Sequence, residues 1–222
     1  IQGFPLFRPA FQAGNTFTFC ARGESAEAVR AVFDRQMQPP YFPVTLAAMQ
    51  ARLAFRSIQP GDEIEVGAVR IKTATLNHPQ GCLGYRISLG DVSVVYATDT
   101  EHLDFGAIDP DVLALAAGAD LLIHDAQYTD DEYVGRCGPG RKGWGHSTVG
   151  EACRLARLAG VRQLALFHHD PCHDDRCMAK LQRQARERFP DVVVACEGMR
   201  IELPAAVDVL RARDEHQWHL AV

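Results

Sequence analysis

Between Glu63 and Ala97 the chain repeats one pattern four times: Glu63 to Val66, Val69 to Leu76, Leu83 to Ser88 and Val92 to Ala97 alternate apolar and polar positions between glycine-containing turns. A period of two sends successive side chains to opposite faces of a strand, so this stretch specifies a meander of four strands. After it the pattern changes. Helix-length and strand-length segments take turns over Asp109 to Ala117, Asp120 to Ile123, Thr148 to Ala159, Gln163 to Phe167, Met178 to Phe189 and Val192 to Ala195. A strand-rich half followed by alternating helices and strands requires helices packed on a sheet, an α/β fold, and excludes a helical bundle. The 222 residues suffice for one such domain with a sizeable core. We place that domain at residues 1–203, with 204–222 as a C-terminal appendage.

Ahead of the meander, Thr16 to Cys20 reads as a strand and Ser25 to Met37 as a helix capped by Ser25, with Ala26, Val29, Val32 and Phe33 on one face. The prolines of Gln38 to Pro43 prohibit a helix there and make a surface or cleft loop, in which Tyr41 and Phe42 offer an aromatic wall. Leu46 to Phe55 is expected to be a second helix. The helix from Thr148 has the clearest ends, because Thr148 and Glu151 have capping-box spacing and Gly160 stands where a left-handed cap belongs.

Charge and cysteine content narrow the function. With 23 basic against 28 acidic side chains, net −5, no extended nucleic-acid surface is expected, which leaves room for a local phosphate site. The seven cysteines are odd in number and include no C-x-x-C pair, so they read as reduced thiols and fit a cytoplasmic compartment. No apolar run approaches the roughly 20 residues of a membrane span. A homo-oligomer is left open.

Ionisable residues gather where predicted strands end. His78 follows Val69 to Asn77, Asp99 follows Val92 to Ala97, His124 and Asp125 follow Asp120 to Ile123, and His168, His169 and Asp170 follow Gln163 to Phe167. His146 lies between the glycine-rich run Gly138 to Gly145 and the capped helix. Imidazole nitrogen with carboxylate oxygen suits zinc, manganese or iron, and a carboxylate such as Asp99 can bridge two cations. His102 and His173 are read as solvated or supporting residues. His216 and His219 are assigned to a tail.

The motifs Asn77-His78-Pro79, Tyr96-Ala97-Thr98-Asp99-Thr100, Ile123-His124-Asp125-Ala126, Gly145-His146-Ser147-Thr148 and Phe167-His168-His169-Asp170, in that order, resemble the metallo-β-lactamase superfamily. The likeness is to its phosphodiesterase branch, related to ribonuclease Z and cyclic-phosphate phosphodiesterases. The resemblance implies a four-layer αββα sandwich and a metal-dependent hydrolase with two divalent ions, zinc by default. It implies metal ligands at His78, Asp99 and His168, with His169 the alternative in the doublet. It further implies that His146 donates a proton to the leaving oxygen and that Asp125 orients it, while Arg141 and Lys142 are candidates to meet a substrate phosphate. The family's H-x-H-x-D-H motif has no match, and Ile1 to Pro5 looks like the segment that follows it, so the expectation is an N-terminally incomplete form of an active parent lacking the first strands. A small phosphodiester is the preferred substrate. The alternatives are a hydrolase of an ester, lactone or thioester, and a metal-free domain kept for interaction or regulation.

Overall fold

The computed structural model describes residues 1–103 and 107–203. The predicted appendage from 204 onward, with His216 and His219, lies outside the described residues. The chain forms two compact units, residues 1–59 and residues 60 onward.

In the first unit β1 (Thr16–Arg22) and β2 (Arg52–Ile58) pair in parallel, Thr16 opposite Arg52 through Arg22 opposite Ile58. The connection carries α1 (Ala26–Gln36), whose N-cap Ser25 accepts a hydrogen bond from the Ala28 amide. Phe4, Phe17, Val29, Phe33 and Met37 are buried together, and the Phe4 and Phe33 rings meet edge to face with centroids 4.6 Å apart. The expected helix over Leu46 to Phe55 is corrected here. Only Leu46–Ala48 forms a single 3-10 turn, and the remainder enters β2. Leu53 and Phe55 stand two apart and turn inward while Arg52, Ala54 and Arg56 are exposed, a strand period that pairing with β1 rewards.

The second unit holds a seven-stranded sheet in the order β3 (Glu63–Val66), β4 (Val69–Leu76), β5 (Cys82–Leu89), β6 (Val92–Ala97), β7 (Leu121–Asp125), β8 (Gln163–Phe167) and β9 (Val192–Val194). Pairing is antiparallel from β3 to β6 and parallel from β6 to β9. The meander and the alternating half thus join in one mixed sheet. Helices α2 (Pro110–Ala116), α4 (Val149–Ala159) and α5 (Asp175–Arg188) share a core with it, in which Leu115, Ala156 and Ala185 pack with Val95, Leu122 and Leu164. A short α3 (Asp130–Tyr133), not foreseen, follows β7. Gly160 adopts the left-handed cap at φ 63°, as its position after α4 predicts.

The capping box is displaced from its expected place. Thr148 does accept the Glu151 amide, but the Glu151 carboxylate turns to Arg154 at 3.4 Å. The reciprocal pair forms instead at α3, where Thr129 Oγ1 accepts the Glu132 amide and the Glu132 carboxylate accepts the Thr129 amide at 2.7 Å.

Strand direction decides where chemistry can collect. Since β4 and β6 are both antiparallel to β5, they run the same way, and β7 and β8 follow β6. The carboxyl ends of β4, β6, β7 and β8 therefore emerge on one edge, the edge at which open α/β sheets hold ligands. Among the described residues no helix is long and apolar enough to cross a membrane.

Candidate metal centre

Four of these strand ends and one loop deliver the polar residues. His78 lies just beyond β4, Asp99 beyond β6, Asp125 ends β7, His168 follows β8, and His146 precedes α4. Ligand atoms of His78, Asp99 and His146 lie within 4.8 Å of one another, as do those of Asp125, His146 and His168. His168 Nε2 is 3.6 Å from Asp99 Oδ1, and the His146 and His168 rings are stacked at 4.8 Å. Asp99 and His168 are the non-glycine residues with left-handed backbone among those described, at φ 57° and 59°. Such a conformation costs about 1–3 kcal/mol and persists where the surroundings enforce it, most often at functional sites. Both residues leave a parallel strand by this turn.

Asp125 is a different kind of group. It is fully buried, and its Oδ1 accepts the amides of Gln127 and Ser147, each at 3.1 Å. Its Oδ2 accepts the amides of Asp99 at 3.0 Å and Thr100 at 3.4 Å and the His146 Nδ1 proton at 2.8 Å. A carboxylate so occupied has no oxygen left for a cation. It ties the Asp99 turn, the chain after β7 and the His146 segment to one point. Its hydrogen bond also raises the pKa of His146 above the ordinary histidine value, with Asp99 and Glu101 adding to the effect and burial opposing it. With Nδ1 committed to Asp125, Nε2 is the free nitrogen of His146.

These donors fit a divalent metal. Imidazole nitrogens and a carboxylate oxygen converge from separate strands, and the Asp99 to His168 separation is too long for a hydrogen bond yet short enough for one cation to contact both. The glycine before His146 is part of the fit. At φ 87°, a Cβ on Gly145 would stand 2.4 Å from His78 Cδ2 and 2.6 Å from Pro79 Cδ, so only glycine lets this loop lie against the His78 turn.

Two buried residues stand beside the centre, and one of them, Glu101, escaped the sequence reading. Glu101, 6% exposed, accepts hydrogen bonds from the Tyr133 hydroxyl at 2.5 Å, the Gly143 amide at 2.7 Å and the Gly145 amide at 2.8 Å. His124, one residue before Asp125, is fully buried and donates Nδ1–H to the Asp125 carbonyl at 2.7 Å. The strand-end pattern pointed to His124 but not to Glu101, because a glutamate in Thr98-Asp99-Thr100-Glu101 looks like a solvated turn residue. Of the two loop cations, Arg141 lies over the Trp144 ring at 4.5 Å and the Tyr128 ring at 5.7 Å, and the Tyr128 and His146 rings are 6.2 Å apart. Lys142 follows it, exposed.

The structure brings His168, and not its neighbour His169, into these donor groups; both ring nitrogens of His169 are buried. Of the two readings offered for His102 and His173, solvated or supporting, the solvated one does not hold for either. His173 Nε2 bonds to Glu132 at 2.9 Å, and His102, 8% exposed, stacks on His124 at 6.0 Å.

The burial of His102 has a pH consequence. Burial, with His124 and Arg154 acting in the same direction, lowers the His102 pKa from 6.5 to about 3, and burial lowers that of His124 as well. Below 6.5 the unfolded chain binds protons that the folded protein refuses, so stability present above that pH is lost as pH falls from 6.5 toward 3. Urea midpoints of the metal-free protein are expected to drop steadily between about pH 7 and pH 4, less steeply in His102→Asn. Identical slopes for the two proteins would contradict this account.

The model of the beta-lactamase superfamily domain matches residues 1–169. Ribonuclease Z of Methanosarcina mazei is 31% identical over 158 residues, 69% of this chain and 44% of that protein. Ribonuclease Z of Myxococcus xanthus is 43% identical over 96 residues, 43% of this chain and 29% of that protein. The chain spans less than half the length of these curated relatives. Human tRNase Z, short form, shares the fold with a TM-score of 0.63 at 18% identity, over 92% of this chain and 74% of that one. The family match takes in every strand end described above as far as His168, and on that basis the chain belongs to the beta-lactamase superfamily domain family and has the metallo-β-lactamase fold.

Proposed function

We propose that the protein is a metal-dependent hydrolase of a small phosphodiester. The observation that carries this reading is the meeting of His78, Asp99, His146 and His168, from separate strand ends, around a space where Asp125 is already fully bonded. In it His78, Asp99 and His168 would be among the metal ligands, zinc by default with manganese and iron accepted by the same donors, and a pair of divalent ions would need further ligands beyond these three. Cations held there supply Lewis-acid chemistry, polarising phosphoryl oxygens and acidifying water. The chain's own residues do the rest. His146, tied through Nδ1 to Asp125 and with its pKa raised, keeps a proton on the side of the donor cluster and gives it to the leaving oxygen. Asp125 holds that imidazole in one tautomer and orientation.

Arg141 and Lys142 meet the phosphate. The planar guanidinium of Arg141 is steadied by two aromatic rings, which suits recognition of a phosphate group. The similarity to ribonucleases Z favours phosphodiesters over esters, lactones and thioesters, and the net charge of −5 favours a small substrate over a long nucleic acid. The test supplies the metal-loaded protein with bis(p-nitrophenyl) phosphate, a 2′,3′-cyclic nucleotide, an aryl ester and a lactone. Turnover of the phosphodiesters well above the acyl compounds is expected. Acyl turnover alone, or a protein that takes up no metal, overturns the reading.

A further inference from the structure

The loop that carries His146 is held by Glu101, and we propose that Glu101 is the positioning residue that sets the reach of His146; this rests on the function proposed for that site. Glu101 is buried, yet its hydrogen-bond partners among the described residues are a hydroxyl and two backbone amides, all from the chain between Tyr133 and Gly145. A buried carboxylate is costly unless fully bonded, so its retention here calls for a task. Gly143 and Gly145 both have left-handed backbone, φ 84° and 87°, and in that conformation both amides turn inward onto the one carboxylate. Two converging amides make a small anion nest, and Glu101 fills it from within the chain.

The same residue reaches the opposite wall of the site. Its amide donates to the Asn77 carbonyl at 2.8 Å, and Asn77 Nδ2 donates to the Glu101 carbonyl at 2.9 Å. Asn77 precedes His78, and Glu101 stands two residues after Asp99. One short segment therefore joins the His78 turn, the Asp99 turn and the glycine loop. The division of labour is clear from the contacts: Asp125 fixes the Nδ1 side of the His146 ring, and Glu101 fixes the backbone immediately before it. Displacing that backbone by about 1 Å moves the ring relative to substrate, which costs up to about 100-fold in rate.

Glu101→Gln keeps size and shape. It leaves one oxygen for three donors and sets an amide group against one of them. In the metal-free full chain, hydrogen exchange of the Gly143 and Gly145 amides is expected to accelerate at least about tenfold, the mark of a released loop. With metal bound, kcat is expected to fall about 10- to 100-fold while KM changes less than about twofold and metal content is unchanged. In the His146→Ala background the same substitution should cost several-fold less than in the parent, since its main effect on rate is through that imidazole. Unchanged amide exchange, or a full additional loss of rate in the His146→Ala background, overturns the proposal. If His146→Ala proves as active as the parent protein, the proposed function falls, and the exchange measurement still decides whether Glu101 holds the loop. Tyr133→Phe, which removes one donor and leaves both amides bonded, is expected to show a weaker form of each effect.

Discussion

Asp125→Asn is expected to destabilise the metal-free protein by about 3–5 kcal/mol, the cost of leaving two or more buried donors without an acceptor. The carboxylate serves five donors, two on Oδ1 and three on Oδ2. An asparagine has one acceptor oxygen, and its amide group must face either the Gln127 and Ser147 amides or the Asp99 and Thr100 amides together with His146. Neither orientation satisfies both sets. Urea denaturation in the presence of a chelator measures the loss without any contribution from metal. A change below about 1 kcal/mol would show that the network relaxes easily. The substitution also frees His146 Nδ1, so activity should fall even at temperatures where the variant stays folded.

The second large effect is kinetic. His146→Ala should reduce turnover of a phosphodiester by about 10²- to 10⁴-fold, the range expected for loss of a general acid. Metal content is expected to stay at the parent level. The geometry makes this measurement decisive, because His146 lies within ligand distance of both donor groups. If metal is lost in proportion to activity, the imidazole is a ligand and the proton-donor role is wrong. A substrate with a strongly acidic leaving group provides an internal control, since it needs no proton and should be much less affected.

The β3 to β9 sheet was legible because its period is short and its turns carry glycine; strand bounds moved by a residue or two. The stretch from Leu46 was misread. Arg52 to Ile58 becomes a strand by pairing with β1, thirty-odd residues earlier, and no local pattern contains that partner. The candidate donors were legible for a simpler reason: histidine and aspartate are uncommon endings for buried strands. Their supports were not. Glu101 and the four amides on Asp125 act through backbone groups, which every residue carries, so nothing in the side-chain order announces them. Spacing alone leaves the His168-His169 doublet open; in the structure His168, at φ 59°, lies 3.6 Å from Asp99 while the ring nitrogens of His169 are buried.

The strand ends beyond which His78, Asp99 and His168 lie come from β4, β6 and β8, so each donor is separated from the next in the chain by twenty residues or more of intervening structure. No peptide cut from the chain could gather them. The centre comes into being only with the whole sheet, and whatever cation it captures becomes a thermodynamic witness to cooperative folding: its affinity and the resistance of the sheet to melting must rise and fall together.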